Sequence, residues 1–230
     1  FAVVTIVAAG FLLPGVQANS IAAGFNNAWG VSTIVSGGCI VIALGLIIFG
    51  GVKRIALFAE IVVPFMALAY IIMALVIMVL NYQQLPGVLA LILKSAFGLD
   101  AGFGAVIGLA VQWGVKRGVY SNEAGQGTGP HAAAAAEVSH PAKQGYVQAF
   151  SIYVDTLLVC SATAFMILCT GKYNVAHPDG SMIVNNLPGV PAGPAYTQAA
   201  AETVLPGFGG TFVALALMFF AFTTIVAYYY

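Results

Sequence analysis

Charge is what this sequence has least of. Only 6% of the 230 residues are Asp, Glu, Lys or Arg, and seven acids balance seven bases. Soluble domains carry roughly 25% charged residues, so the chain has too few charges to make a polar skin. Lipid must solvate much of its surface. The zero net charge, with no basic run longer than the two residues of Lys53-Arg54 or Lys116-Arg117, excludes a nucleic-acid binder. Cysteine is equally scarce. Cys39, Cys160 and Cys169 lie in apolar runs without metal-ligand spacing and read as packing residues. Catalytic signatures are missing too. No lysine follows the glycines of Ser121-Asn122-Glu123-Ala124-Gly125-Gln126-Gly127, so this is no phosphate loop. There is no Gly-x-Ser-x-Gly elbow and no His-Glu-x-x-His. His131, His140 and His177 fall in polar loops. An intramembrane enzyme is therefore unsupported.

What is abundant is apolar: 61% hydrophobic residues and a mean hydropathy of +0.99. A spanning helix needs about 20 mostly apolar residues. Spans are predicted at about 1–21, 33–50, 56–80, 86–113, 147–168 and 209–230. The fourth is interrupted near 95–104, where Gly98, Gly102 and Gly104 accompany Asp100. Each glycine lowers helix stability by about 1 kcal/mol relative to alanine, so two half-helices joined by unwound backbone are expected. Backbone freed within a bilayer survives only against protein or a polar cavity, so the break points to a site. The chain begins at Phe1 inside one apolar run and stops at Tyr230 inside another. The expectation is a fragment of a longer polytopic membrane protein, a single transmembrane domain over 1–230.

Basic residues set an expected orientation. Lys53, Arg54, Lys116, Arg117 and Lys143 fall in the second and fourth gaps between spans, and Lys172 alone falls in the fifth. The positive-inside rule places the even gaps in the cytoplasm, including a loop of about 116–144. The segment of about 171–205 is then extracytoplasmic. The alternation holds only if the interrupted fourth region crosses once.

Several residues could carry chemistry. An ionised group at the bilayer centre costs from about 2.5 to above 10 kcal/mol. Glu60 stands near Lys53 and Arg54 and reads as interfacial. Asp155 reads either as a structural partner at the cytoplasmic end of its span or as an ion-path residue. Lys94 and Asp100 flank the break and could simply hold it. Thr223-Thr224 admits two readings. Each hydroxyl could bond a preceding carbonyl of its own helix, or the pair could offer two oxygens to a small hard cation, which prefers oxygen ligands. Gln17 and Asn19 could glue helices, at roughly 0.6 kcal/mol each, or face a substrate.

One long stretch is distinctive. Gly114-Val115-Lys116-Arg117-Gly118-Val119-Tyr120-Ser121-Asn122-Glu123-Ala124-Gly125-Gln126-Gly127 continues through the alanine run and His140-Pro141-Ala142-Lys143-Gln144-Gly145 into Asp155-Thr156-Leu157-Leu158-Val159-Cys160. It resembles the alanine or glycine:cation symporter family, which includes the sodium:alanine symporters. Val16-Gln17-Ala18-Asn19-Ser20 and Phe220-Ala221-Phe222-Thr223-Thr224 resemble further family segments, so the likeness covers nearly the whole chain.

The resemblance implies an all-α, LeuT-type fold of two inverted five-helix repeats, with this chain resembling helices three to eight. The interrupted fourth region would then be helix six, which the family unwinds at the substrate. Such folds bind substrate at the midplane, against half-helix ends. By position, Thr223 and Thr224 resemble the eighth-helix pair lining the sodium and substrate region. Phe97 and Gly98 resemble the unwound sixth-helix contact, and Gln17 a third-helix polar residue near the substrate. Tyr228 follows Ala227 where the family has Gly-Trp, and this smaller aromatic bears on pocket size. Helix one, absent here, supplies much of the family's carboxylate and sodium binding.

The implied activity is sodium-coupled symport of alanine, glycine or a similar small amino acid at the cell membrane, with sodium as coupling ion and no organic cofactor. Proton coupling is the rival within the class. A membrane-embedded structural subunit, whose glycine break is only a packing kink, is the rival outside it. A channel would need a continuous polar stripe on one helix, and none is present.

Overall fold

The computed structural model describes residues 2–96, 114–118, 120–121, 123, 127–134, 136–176 and 180–228. These are mostly helical. In chain order they form α1 (Ala2–Trp29), α2 (Thr33–Ile48), α3 (Gly51–Leu80), a 3-10 turn (Tyr82–Gln84) and α4 (Leu85–Ala96). There follow α5 (Gly129–Ala134), α6 (Pro141–Thr170), an antiparallel hairpin of β1 (Asn174–Ala176) and β2 (Met182–Asn185), α7 (Pro194–Glu202) and α8 (Gly209–Ala227). Among the described residues four helices are long and apolar enough to cross a membrane: α1, the Leu57–Leu80 part of α3, α6 and α8. Large side chains such as Phe49 and Ile34 are 94% and 84% exposed. Apolar surface on that scale requires lipid or more protein around it.

The helices begin, bend and end for local reasons. Within α1, residues Ala8–Leu12 form a π turn. Pro14 follows it, and proline lacks the N–H that would bond the carbonyl of Gly10. The wider turn accommodates the missing bond. Gly30 ends α1 at φ +68, donating its N–H to Asn26 O at 2.8 Å. That left-handed conformation suits glycine at a helix C-terminus. Helix α6 starts on His140, whose Nδ1 accepts the Ala142 N–H at 3.1 Å, with Pro141 at the first helical position.

A second π turn, Val154–Cys160, lies in the middle of α6. No proline causes it. Ser161 Oγ donates to Thr156 O, five residues back, at 3.2 Å, which is the spacing a π turn presents.

The chain divides into two compact units, with the division inside α3 at Met73 and Ala74. The first comprises Phe1–Met73, Gly171–Tyr173 and Asn186–Tyr230. In it α8 packs against α1, α2 and α7, and α1 also packs on α2 and α7. Its core holds Ile21, Ile40, Ala221, Phe222, Ile225 and Val226. Phe58 meets Phe222 edge-on at 6.0 Å, and Tyr70 meets Phe220 at 5.6 Å. Small residues (Gly24, Ala200, Ala201, Ala214, Ala221) line the tightest contacts, as expected where dispersion rather than water expulsion joins helices.

The second unit comprises Ala74–Thr170 and Asn174–Asn185. Here α4 packs on the Ser161–Thr170 part of α6, and α5 on its first turns. In the hairpin, Asn174 pairs with Asn185 and Val175 with Val184, followed by a bulge.

Candidate functional site

Helices α1 and α8 run antiparallel, as three contacts show. At one end Trp29 Nε1 donates to Thr211 Oγ1 at 3.1 Å. Further along, Gly24 lies under Leu217 and Ala214, so near that an added Cβ would stand 3.2 Å from Leu217 Cδ2. Beyond that, Ile21 and Ala18 join Ala221, Phe222 and Ile225 in one cluster. From Gly24 back to Gln17 is seven residues, and from Leu217 on to Thr224 is also seven. Both steps rise about 10.5 Å. The packing register therefore sets Gln17 and Thr224 at the same depth on neighbouring helices.

Thr223 and Thr224 are half-buried. Thr223 Oγ1 donates to Phe219 O at 2.9 Å and Phe220 O at 3.0 Å, and Thr224 Oγ1 donates to Phe220 O at 3.0 Å. Each hydroxyl proton is thus spent on its own helix, the ordinary bond of a helical threonine. Each oxygen keeps lone pairs, the half of the group a cation uses. Tyr228 caps the C-terminus of α8 through its N–H to Thr224 O at 3.1 Å. Gln17 is half-buried on α1. Ser95 and Ala96, the first residues of the predicted break, are the last of helix α4, while Phe97, Gly98, Asp100 and the rest of it lie outside the described residues.

The C-terminal end of α1 and the N-terminal end of α8 are tied by α7, which sequence reasoning left within a polar loop. Gln198 is 6% exposed, and its Nε2 donates to Gly24 O at 2.9 Å and Gly210 O at 3.2 Å. One amide thereby links three helices. One turn on, the Glu202 carboxylate accepts the N–H groups of Gly207 and Gly210, the latter at 2.7 Å. It sits at the positive end of the α8 dipole, where an acid is stabilising. Gly209 passes so close that a Cβ there would overlap backbone atoms of Ala201 and Glu202. A signal existed: Gly193-Pro194 is a helix start, and Gln198 and Glu202 are spaced i, i+4. Their partners, as distant as Gly24, are not encoded locally.

In the second unit Asp155 lies in the π turn of α6. Ser121 Oγ donates to its Oδ2 at 2.8 Å, and Cys160 Sγ stands 3.9 Å from both carboxylate oxygens. Ser121 Oγ is also 3.3 Å from Cys160 Sγ. Near the start of α6, Thr128 Oγ1 donates to Glu123 Oε2 at 2.7 Å. Among the described residues no cluster of three His, Cys, Asp or Glu forms a metal site.

Several long apolar helices with sparse, half-buried polar groups define a multi-pass membrane protein, and the comparisons with known proteins place it among transporters. The profile of the sodium:alanine symporter family matches residues 1–230, and the chain belongs to that family. It is 66% identical over 230 residues to YrbD of Bacillus subtilis (strain 168), provisionally named a sodium/proton-dependent alanine carrier protein, covering all of this chain and 48% of YrbD. It is 60% identical over 226 residues to the sodium/proton-dependent alanine carrier protein of Bacillus sp. (strain PS3), covering 98% of this chain and 51% of that protein. To the sodium/alanine symporter AgcS of Methanococcus maripaludis it is 38% identical over 217 residues, or 94% of this chain and 45% of AgcS. The chain thus spans about half the length of the curated relatives it matches.

Proposed function

We propose that the protein carrying this chain is a sodium-coupled symporter of alanine, glycine or a similarly small amino acid, working by alternating access. The family match over the whole chain carries this reading, supported by 60–66% identity to two proteins named as alanine carriers. On it, sodium favours the outward-open state and substrate then favours closure. The gradient does work because the two binding events share one conformational equilibrium.

The finer assignments follow the resemblance. The fold is LeuT-type, the chain corresponds to helices three to eight, and the loops bearing Lys53, Arg54, Lys116, Arg117 and Lys143 face the cytoplasm of a cell-membrane protein. Thr223 and Thr224 offer oxygens to sodium. Substrate contacts fall to Gln17, Phe97, Gly98, Thr224 and Tyr228. The shared depth of Gln17 and Thr224 and the free lone pairs of the two threonines support this set.

Thermal denaturation of the complete protein in detergent tests the binding step. Alanine should raise the melting temperature in sodium but not in potassium, because a ligand of the native state stabilises it by mass action. Equal stabilisation in both salts would refute sodium-linked binding. A second reading, coupling to protons, is favoured by the names of the two relatives at 60–66% identity, which join sodium and proton.

A further inference from the structure

Gln198 is 6% exposed, yet only half of its amide is used. Nε2 spends both protons, one on Gly24 O of α1 at 2.9 Å and one on Gly210 O of α8 at 3.2 Å. Oε1 is buried and accepts no hydrogen bond among the described residues. Both carbonyls belong to helices, where each already serves the N–H four residues on. Neither needs the amide, and a buried acceptor without a donor costs stability. An apolar side chain of the same length would hold α7 in place without that cost. Adhesion therefore does not explain the amide, whereas its two directional bonds do.

Those bonds fix how α8 lies along α1. The helices approach most closely at Gly24, where an added Cβ would stand 3.2 Å from Leu217 Cδ2. Gly210 is seven residues before Leu217 and Thr224 is seven after it, about 10.5 Å in each direction. A helix held only at Leu217 can pivot there. With equal arms, a shift of Gly210 away from α1 carries Thr224 an equal distance towards it. The amide bridge from Gly24 to Gly210 stops that pivot, and the Trp29 Nε1 bond to Thr211 Oγ1 at 3.1 Å stops it one residue further on. On the other arm lies the apolar cluster of Ile21, Ala221, Phe222 and Ile225, whose attraction is non-directional and tolerates sliding. A binding site works only within about 0.5 Å of its geometry, so a small pivot reaches the site.

We propose that Gln198 is a positioning residue. By bridging α1 and α8 at one end of their contact, it sets the separation of Gln17 and Thr224 and so the affinity for sodium and substrate. This rests on the assignment of those two residues to the site under the symport reading above.

The test uses the complete protein, with melting temperatures in detergent and alanine uptake into proteoliposomes at graded external sodium. Gln198→Met keeps the length and removes the bridge. It should melt near the parent protein or above it and keep the uptake rate at saturating sodium. The sodium concentration for half-maximal uptake should rise about three- to tenfold, the scale of one net hydrogen bond. Thr211→Val, which removes the acceptor of Trp29, should raise it in the same direction. An unchanged half-maximal sodium concentration in folded Gln198→Met, whatever its maximal rate, would make Gln198 merely structural and overturn the proposal. If Gln198→Met does not fold, Thr211→Val decides: a rise supports the proposal and an unchanged value overturns it. Uptake by the parent protein that ignores sodium would refute the symport reading instead. The alanine concentration for half-maximal uptake then reads the bridge, rising in Gln198→Met if the proposal holds and staying the same if it fails.

Discussion

Gly209 and Gly210 are adjacent, yet substituting them should have opposite consequences. A Cβ at Gly209 would overlap backbone atoms of Ala201 and Glu202. Backbone cannot rotate aside as a side chain can, so α7 and α8 must move apart. Overpacking costs typically about 1–3 kcal/mol, and a clash with backbone belongs at the upper end of that range. At Gly210 the nearest atom is Glu202 Oε2 at 3.6 Å, an ordinary contact. There Gly→Ala removes backbone freedom from the unfolded chain and gains up to about 1 kcal/mol. Gly209→Ala and Gly210→Ala should therefore differ in stability by about 2–4 kcal/mol.

The assay is thermal unfolding of the two variants and the parent, purified side by side in one detergent. Gly209→Ala should melt several degrees below the parent and Gly210→Ala at or above it. The separation of α7 should also free Gln198 from Gly24 and Gly210, so Gly209→Ala should speed backbone hydrogen exchange at the start of α8. Equal melting temperatures for the two variants would refute the close approach of α7 to α8.

Other predictions follow from the same contacts. Thr224→Ala should weaken sodium-dependent alanine uptake with little change in folded yield, and Thr224→Ser should retain it; unchanged sodium dependence in Thr224→Ala would remove this residue from the ion path. Gln198→Glu replaces two donated hydrogen bonds with oxygens facing the carbonyls of Gly24 and Gly210, and should cost at least about 2 kcal/mol, read as a lower melting temperature than that of Gln198→Met. Glu202→Gln leaves one acceptor oxygen where two now serve Gly207 and Gly210 and removes the charge at the α8 N-terminus, for a loss of about 1 kcal/mol in the same assay.

The helical membrane class was legible because composition alone denies the chain a polar skin, and the family because Gly114 to Cys160 carries an ordered motif. Both rest on features that sequence states directly. The first span was expected to end near residue 21, yet α1 runs on to Trp29 and stops only at left-handed Gly30. The π turn before Pro14 had a signal in the proline, whereas the one at Val154–Cys160 had none, since it depends on a hydroxyl reaching five residues back. The segment 171–205 read as polar loop because its glycines, asparagines and prolines outweigh short periodic runs. It nonetheless holds a bulged hairpin and α7.

The candidate residues were found by type and resemblance, and their mutual geometry was not. Gln17 and Thr224 share a depth only because Gly24 admits Leu217 so closely. Likewise Gln198 and Gly24 are 174 positions apart, and no local pattern announces the bond. Phe97 and Gly98, the remaining substrate candidates, lie outside the described residues.

Uptake of labelled alanine by the complete protein in proteoliposomes tests the central claim most directly. With an inward sodium gradient, alanine should accumulate and unlabelled glycine should compete. Replacing external sodium by potassium should abolish accumulation. Accumulation that is indifferent to sodium, or no uptake by protein shown to be folded, would contradict sodium-coupled symport of small amino acids.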